Sequence, residues 1–183
     1  MRIVTNTLLL LVCALLLSSG SGCAGKISYN VRGRVIDGET GKPVEGAAVA
    51  VNWYGFRRVA LLWTDGGTVS FEQAEDLSDK EGYFEIPKYW ATPFYMGVYK
   101  KGYVCWGNDK IFPGWERRKD FSLENGMVIK LEPFKESYSE KDHARFTIFR
   151  ENSCNSRGSV KSKFHNAIKS EKFLFYQKEK EEK

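Results

Sequence analysis

Histidine is the scarcest chemistry-bearing residue in this chain. There are two, His143 and His165, among 183 residues, and both fall in a charged C-terminal stretch. A zinc site or a nucleophile–base triad would require them to converge on partners that the sequence does not nominate, and both rings are expected on solvated helix faces. Long apolar runs are also missing. The run Leu8–Leu17 is ten residues, whereas a helix that crosses a bilayer needs about twenty. The carboxylates near Gly82, Asp79 and Glu81, lack the alternating spacing of a calcium loop and read as turn formers. Cysteine is sparse at four. Residues 23–134 have no excess charge of either sign, with fifteen Lys and Arg against fifteen Asp and Glu. From Cys23 on, the basic surplus sits in residues 135–183, which hold twelve cations and eight anions.

What the chain does have is hydrophobic and aromatic content, 42% and 14% of residues, enough for a packed core and against global disorder. Its first residues belong to targeting. Arg2 precedes the apolar run, and Ser18–Gly22 are small residues leading to Cys23, the layout of a signal peptide. The Gly22–Cys23 junction resembles a bacterial lipoprotein signal, in which the cysteine becomes the acylated first residue of the mature chain. Gly20 departs from that pattern, which usually carries an aliphatic residue there. The resemblance implies a lipid anchor at Cys23 and, with Ala24 in place of Asp, the outer membrane of a bacterial cell envelope, facing periplasm or surface. Ordinary signal cleavage would instead leave Cys23 a free thiol. Export implies an oxidising compartment, where the two remaining cysteines, Cys105 and Cys154, are expected to pair; two separate buried thiols are the alternative.

From Ile27 the pattern has period two, with Tyr29, Val31 and Val35 alternating against Asn30, Arg32 and Arg34, a half-buried strand. Asp37–Pro43, with two Gly and a Pro, forces a turn. Ala47–Tyr54 follows as a strand with Val49, Val51 and Trp53 on one face and the small Ala48 and Ala50 on the other. Phe94–Tyr99, Tyr103–Trp106 and Met127–Leu131 read as further strands, and Pro133 ends the last, since proline donates no ladder bond. In the tail, Ser139–Glu151 reads as a helix with Ser139 as N-cap. Ser159–Lys180 reads as a second, with Val160, Phe164, Ile168 and Phe175 at helical spacing, frayed from Lys178 on.

Three phrases carry a family resemblance over residues 27–132: Gly33–Asp37 with Thr40–Val44 and Gly46–Val49, then Ser78–Ile86, then Lys100–Tyr103. In this order they resemble a carboxypeptidase regulatory-like domain. The resemblance implies a mainly β fold, an Ig-like or transthyretin-like β-sandwich of about seven strands; a short α-helical C-terminal extension follows it here. In the carboxypeptidases this is an accessory domain, and no zinc-peptidase motif is present in this chain. The chain departs from the pattern by an insertion near residues 55–77, expected as an extra hairpin or short helix with a turn at Asp65–Gly66, and by the aromatic stretch Lys88–Pro93. The expected organisation is a signal at 1–22, a sandwich at 23–134 and a basic helical extension at 135–183.

Tyr89, Trp90, Trp106 and Trp115 fall in or beside loops and are the candidate binding residues, since exposed aromatics stack on sugars and anchor interfaces. The alternative is that they plug the open ends of the sandwich. The basic tail suits an anionic lipid surface or an acidic partner, or else packs on the domain as a solvated helix; export argues against nucleic acid. The expectation is a non-enzymatic envelope module, without metal or cofactor, that mediates protein–protein interaction. A carbohydrate-binding module using the loop aromatics is the alternative, and an envelope hydrolase ranks last.

Overall fold

The structure, a computed structural model, describes residues 28–56, 68–89, 92–154 and 162–181. Cys23 and the signal, Trp90 and the Asp65–Gly66 turn lie outside the described residues. Period-two alternation produces the strands β1 (Ser28–Asp37), β2 (Ala48–Phe56), β3 (Thr68–Leu77), β4 (Tyr83–Tyr89) and β5 (Phe94–Tyr99). Short strands follow: β6 (Trp106–Gly107), β7 (Lys110–Ile111), β8 (Glu116–Arg117) and β9 (Val128–Leu131). They form a β-sandwich. One sheet has the order β4-β1-β9, the other β3-β2-β5-β6, and β7 pairs with β8 as a separate ribbon. Strand β1 is antiparallel to β4 and parallel to β9.

Of the segment expected as an insertion, residues 55–56 and 68–77 are described and belong to strands, and residues 57–67 lie outside the described residues. Residues 68–77 are β3, paired with β2 from Ala48↔Leu77 to Phe56↔Thr68. The polar composition of β3, with Glu72, Gln73, Glu75 and Asp76, hides it from a hydrophobicity reading, because an edge strand has one face and one side in water.

The three phrases of the family resemblance meet as turn chemistry. Asp37 Oδ1 accepts from the backbone N–H groups of Glu39 and Thr40, at 2.9 and 2.7 Å, and the Tyr103 hydroxyl donates to Asp37 Oδ2 at 2.9 Å. These bonds, led by that from Thr40, hold the Asp37 carboxyl below the usual carboxylate value. Gly82 has φ of 82° and sits so close to the Val35 carbonyl that a Cβ would overlap it, so only glycine fits there.

Between the sheets lies an apolar core that includes Val31, Val35, Val49, Val51, Trp53, Ile86, Met96, Val98 and Leu131. The outer face of the β2–β5 sheet builds a second core with the C-terminal helices. These are α1 (Glu140–Ser153), α2 (Lys163–Ala167) and α3 (Lys169–Glu181). Ser139 caps α1 as expected, accepting from the Asp142 N–H at 3.2 Å. The second expected helix is broken into α2 and α3, and its backbone stays helical to Glu181. Helix α2 starts at Ser162, whose hydroxyl donates to Glu75 Oε1 of β3 at 2.6 Å. Phe146, Phe164, Ile168 and Cys154 pack on Ala48, Ala50 and Tyr99. The tail is therefore part of the packed body.

Candidate binding site

The pleat of β2 sends Val49, Val51 and Trp53 inward and Ala48, Ala50 and Asn52 outward; on β5 it sends Met96 and Val98 inward and Tyr95, Gly97 and Tyr99 outward. The outward face is thus small at Ala50↔Gly97, where helices approach closely, and larger at Asn52↔Tyr95. A bulge between Trp53 and Tyr54 shifts the register there. Helix α1 crosses this face and ends above Asn52, whose Nδ2 donates to the Ser153 carbonyl at 3.0 Å.

Beside the end of α1 a groove of about 460 Å³ opens, lined by Asn52, Tyr54, Ser70, Tyr95, Phe149 and Asn152, with Ser153 at its rim. The Tyr54 and Tyr95 rings stack at 4.7 Å with planes 18° apart. Burial, then the hydrogen bond with Tyr95, pushes the Tyr54 phenol above its ordinary value, so it stays protonated at neutral pH. Ser70 donates to Asn52 Oδ1 at 2.5 Å, and Phe149 is 36% exposed. No carboxylate, imidazole, lysine or arginine side chain lines the groove among the described residues. Its surface is aromatic carbon interleaved with amides and hydroxyls, the makeup of a site for a neutral ligand that is apolar on one face and polar at its rim.

Of the aromatic residues singled out from the sequence, Trp90 lies outside the described residues, and Tyr89, Trp106 and Trp115 are not in the lining of this groove. Trp106 is 8% exposed, edge-on to Phe121 at 4.8 Å and under Arg118 at 4.9 Å. Trp115, at φ 62°, packs between Phe146 and Phe149 at 4.9 and 5.1 Å. Tyr89 packs edge-on to Trp53 at 5.0 Å. Trp106 belongs to the inner core and Tyr89 packs against it, while Trp115 packs against the second core. The groove residues were marked in the sequence only by their parity, outward on β2 and β5, and by the i, i+3 pair Phe149 and Asn152.

Behind the groove lies a cluster of buried ionisable groups. Arg150 is fully buried and ion-pairs through Nη1 with Asp109. Its side chain lies against Gly97 and Gly107, where a Cβ would come within 2.5 Å of Arg150 Cγ or overlap Nη2. Glu151, also fully buried, meets His165 Nδ1 at 2.5 Å and Lys172 Nζ at 3.0 Å. His143 is 2% exposed, contrary to the expectation of a solvated ring. Its Nε2 accepts from the Cys105 backbone N–H at 2.9 Å, which places the proton of the neutral ring on Nδ1, 3.5 Å from Glu171 Oε2. The Tyr99 hydroxyl donates to Glu171 Oε1 at 2.7 Å.

The disulfide expected between Cys105 and Cys154 is not formed. Both are buried free thiols in the second core, each pushed up to about 12 by burial despite the neighbouring Arg150. Buried apolar surroundings keep a thiol protonated and inert. Among the described residues no three His, Cys, Asp or Glu side chains group as metal ligands, and no helix is long and apolar enough to cross a membrane.

No family model matches the chain, and no curated protein does. Solved structures with some similarity include 3-chlorocatechol 1,2-dioxygenase from Rhodococcus opacus, 11% identical with a TM-score of 0.41 over 62% of this chain and 62% of that one. A streptococcal ancillary pilin is 18% identical with a TM-score of 0.32, over 58% of this chain and 30% of the pilin. A shaft pilin from Lactobacillus rhamnosus GG is 14% identical with a TM-score of 0.35, over 60% and 47%. The chain therefore spans less than two thirds of each of these proteins. They differ in activity, and the β-sandwich of this chain rests on its own strand pairing.

Proposed function

We propose that this protein is a non-enzymatic binding module of a bacterial cell envelope, exported and anchored through an acylated Cys23, and that the groove beside α1 takes a neutral glycan. The observation that carries this reading is the groove's lining. Tyr54, Tyr95 and Phe149 supply aromatic surface for the C–H face of a pyranose, and Asn52, Ser70 and Asn152 supply uncharged donors and acceptors for its hydroxyls. Both imidazoles have structural partners. His143 Nε2 is taken by a backbone N–H and not by the Cys105 thiol, and His165 is locked on Glu151.

The test is calorimetric titration of the chain with neutral oligosaccharides, chito-oligosaccharides and α-glucans among them, repeated with Phe149→Ala and Asn152→Ala. Both positions are at the groove's edge, so the sandwich should stay folded. Binding weakened by about tenfold in each variant supports the reading; binding that neither variant alters places the glycan elsewhere and defeats it.

A protein partner is the second reading, and a specific observation favours it. Phe173 and Tyr176 on α3 are 63% and 47% exposed and lie three residues apart, on one helix face. Exposed aromatics clustered in this way are typical anchors of a protein interface. Phe173→Ser with Tyr176→Ser should abolish capture of such a partner while leaving glycan titrations unchanged.

A further inference from the structure

We infer a second binding site, independent of the groove, on the outer face of the β4-β1-β9 sheet, where Arg32 and Arg34 hold an oxyanion of the phosphate or carboxylate type. The two arginines are two residues apart on β1 and so project from the same face. Both guanidinium groups lie over one ring, that of Tyr83 on β4, at 3.9 Å for Arg32 and 5.3 Å for Arg34. A shared aromatic ring fixes their positions without neutralising their charge.

Among the described residues neither arginine has a carboxylate partner. Arg34 Nε donates to the Glu81 carbonyl at 2.9 Å, which leaves its terminal nitrogens unspent, and the Arg32 guanidinium makes no hydrogen bond to the described residues. Glu85 faces Arg32 across the strand pair but accepts instead from Asn30 Nδ2 at 2.7 Å. Both arginines line a pocket of about 340 Å³ together with Tyr83, Asn125, Gly126 and Val128. Asn125 Oδ1 accepts from the Arg32 backbone N–H at 3.0 Å, so its amide NH2 remains as a third donor. Among the described residues no acidic side chain lines the pocket. Planar forks of this kind match the two oxygens of a phosphate or carboxylate, and Lys130, on the same face of the neighbouring strand β9, adds a further positive charge.

The contrast with the C-terminal tail strengthens the assignment. Among the tail's cations, Arg150, Lys163 and Lys172 are held on Asp109, Asp76 and Glu151, whereas Arg32 and Arg34 are left open. An anion of this chemistry has two sources at an envelope, a lipid headgroup and a soluble phosphate. Ser28, where β1 begins, follows Cys23 by five residues, so an acyl anchor there would hold the strand's start within roughly 17 Å of the headgroups.

The test uses the full chain, inorganic phosphate, and vesicles of phosphatidylcholine with or without phosphatidylglycerol. Wild type is compared with Arg32→Gln/Arg34→Gln and with Lys101→Gln/Lys169→Gln, which removes the same charge from the helical side of the molecule. Phosphate is followed through the Gly126 amide resonance and vesicles by co-sedimentation, with thermal melting to verify the fold. The expectation is a loss of at least about tenfold in the arginine variant for one or both probes, with the lysine variant little changed. Loss for the vesicles identifies a headgroup as a ligand, and loss for phosphate alone identifies a soluble anion. The site is overturned if neither probe binds wild type, or if the lysine variant loses as much as the arginine variant.

Discussion

The β2–β5 sheet faces two cores that are built in different ways. Its inner face meets the β4-β1-β9 sheet through aliphatic side chains and Trp53, and among the described residues no charged side chain is buried there. Its outer face meets the C-terminal helices through Ala48, Ala50 and Tyr99, with both thiols and, alongside them, fully buried Arg150 and Glu151. An apolar core needs only the right period and volume, so many sequences satisfy it. A core containing paired charges tolerates few arrangements, since each ion left unpaired out of water is strongly destabilising. The first core builds the scaffold. The second fixes where α1 ends, and with it the groove.

The largest effect expected from breaking this comparison is at Trp53. Trp53→Ala should cost about 3–5 kcal/mol. Because both cores share β2 and β5, far-ultraviolet circular dichroism and aromatic fluorescence should report one common unfolding transition at a lower temperature. Two separate transitions would show that the helical side melts by itself, and the cores would then be independent units.

Next in size is Arg150. Arg150→Ala empties the space along Gly97 and Gly107 and leaves Asp109 without its cation, a loss of about 3 kcal/mol in urea titration. Arg150→Met should cost clearly less, since it keeps the stem's packing and Asp109 is 28% exposed and can be hydrated. Equal losses would mean that the ion pair, and not the fill, holds α1 down.

The glycines sharpen the same point. Gly97→Ala should cost about 1–3 kcal/mol, as an overpacked contact does, because its Cβ would sit 2.5 Å from Arg150 Cγ. In an Arg150→Ala background the same change should cost at least about 1 kcal/mol less, as a double-mutant cycle would register. An unchanged cost would place the strain in the backbone instead.

This division also explains what could be read from the sequence. The inner core was legible because Val31, Val35, Val49, Val51 and Trp53 follow period two, and the turns because Asp37 and Gly82 have few substitutes. Strand β3 was not, because Glu72, Glu75 and Asp76 carry no apolar signal, although Glu75 goes on to cap α2. His143 and Glu151 look like surface residues in a charged helix. Their partners, the Cys105 backbone, Glu171, His165 and Lys172, are between 14 and 38 residues away, and spacing says nothing about pairing over that range. The groove was missed for a related reason: Tyr54, Tyr95 and Phe149 come from three elements, and none falls in the loops where binding aromatics were sought.

The smallest effect concerns acid. Burial pushes the Glu171 carboxyl up, and the hydrogen bonds from His143 and Tyr99, with Lys101 nearby, more than offset it, so the group lies below its ordinary value of 4.5. A carboxylate depressed on folding stabilises the folded chain above the unfolded value, and that stabilisation is lost as pH falls through the folded one. Glu171→Gln keeps one acceptor oxygen and should therefore cost about 1 kcal/mol at neutral pH, the net worth of a typical intramolecular hydrogen bond. The gap between wild type and variant in urea midpoint should hold steady down to 4.5 and close below it. A gap that persists in acid would show that Glu171 acts through its shape on Tyr99 and His143 and not through its charge. The charged core would then resemble the apolar one more closely than its composition suggests.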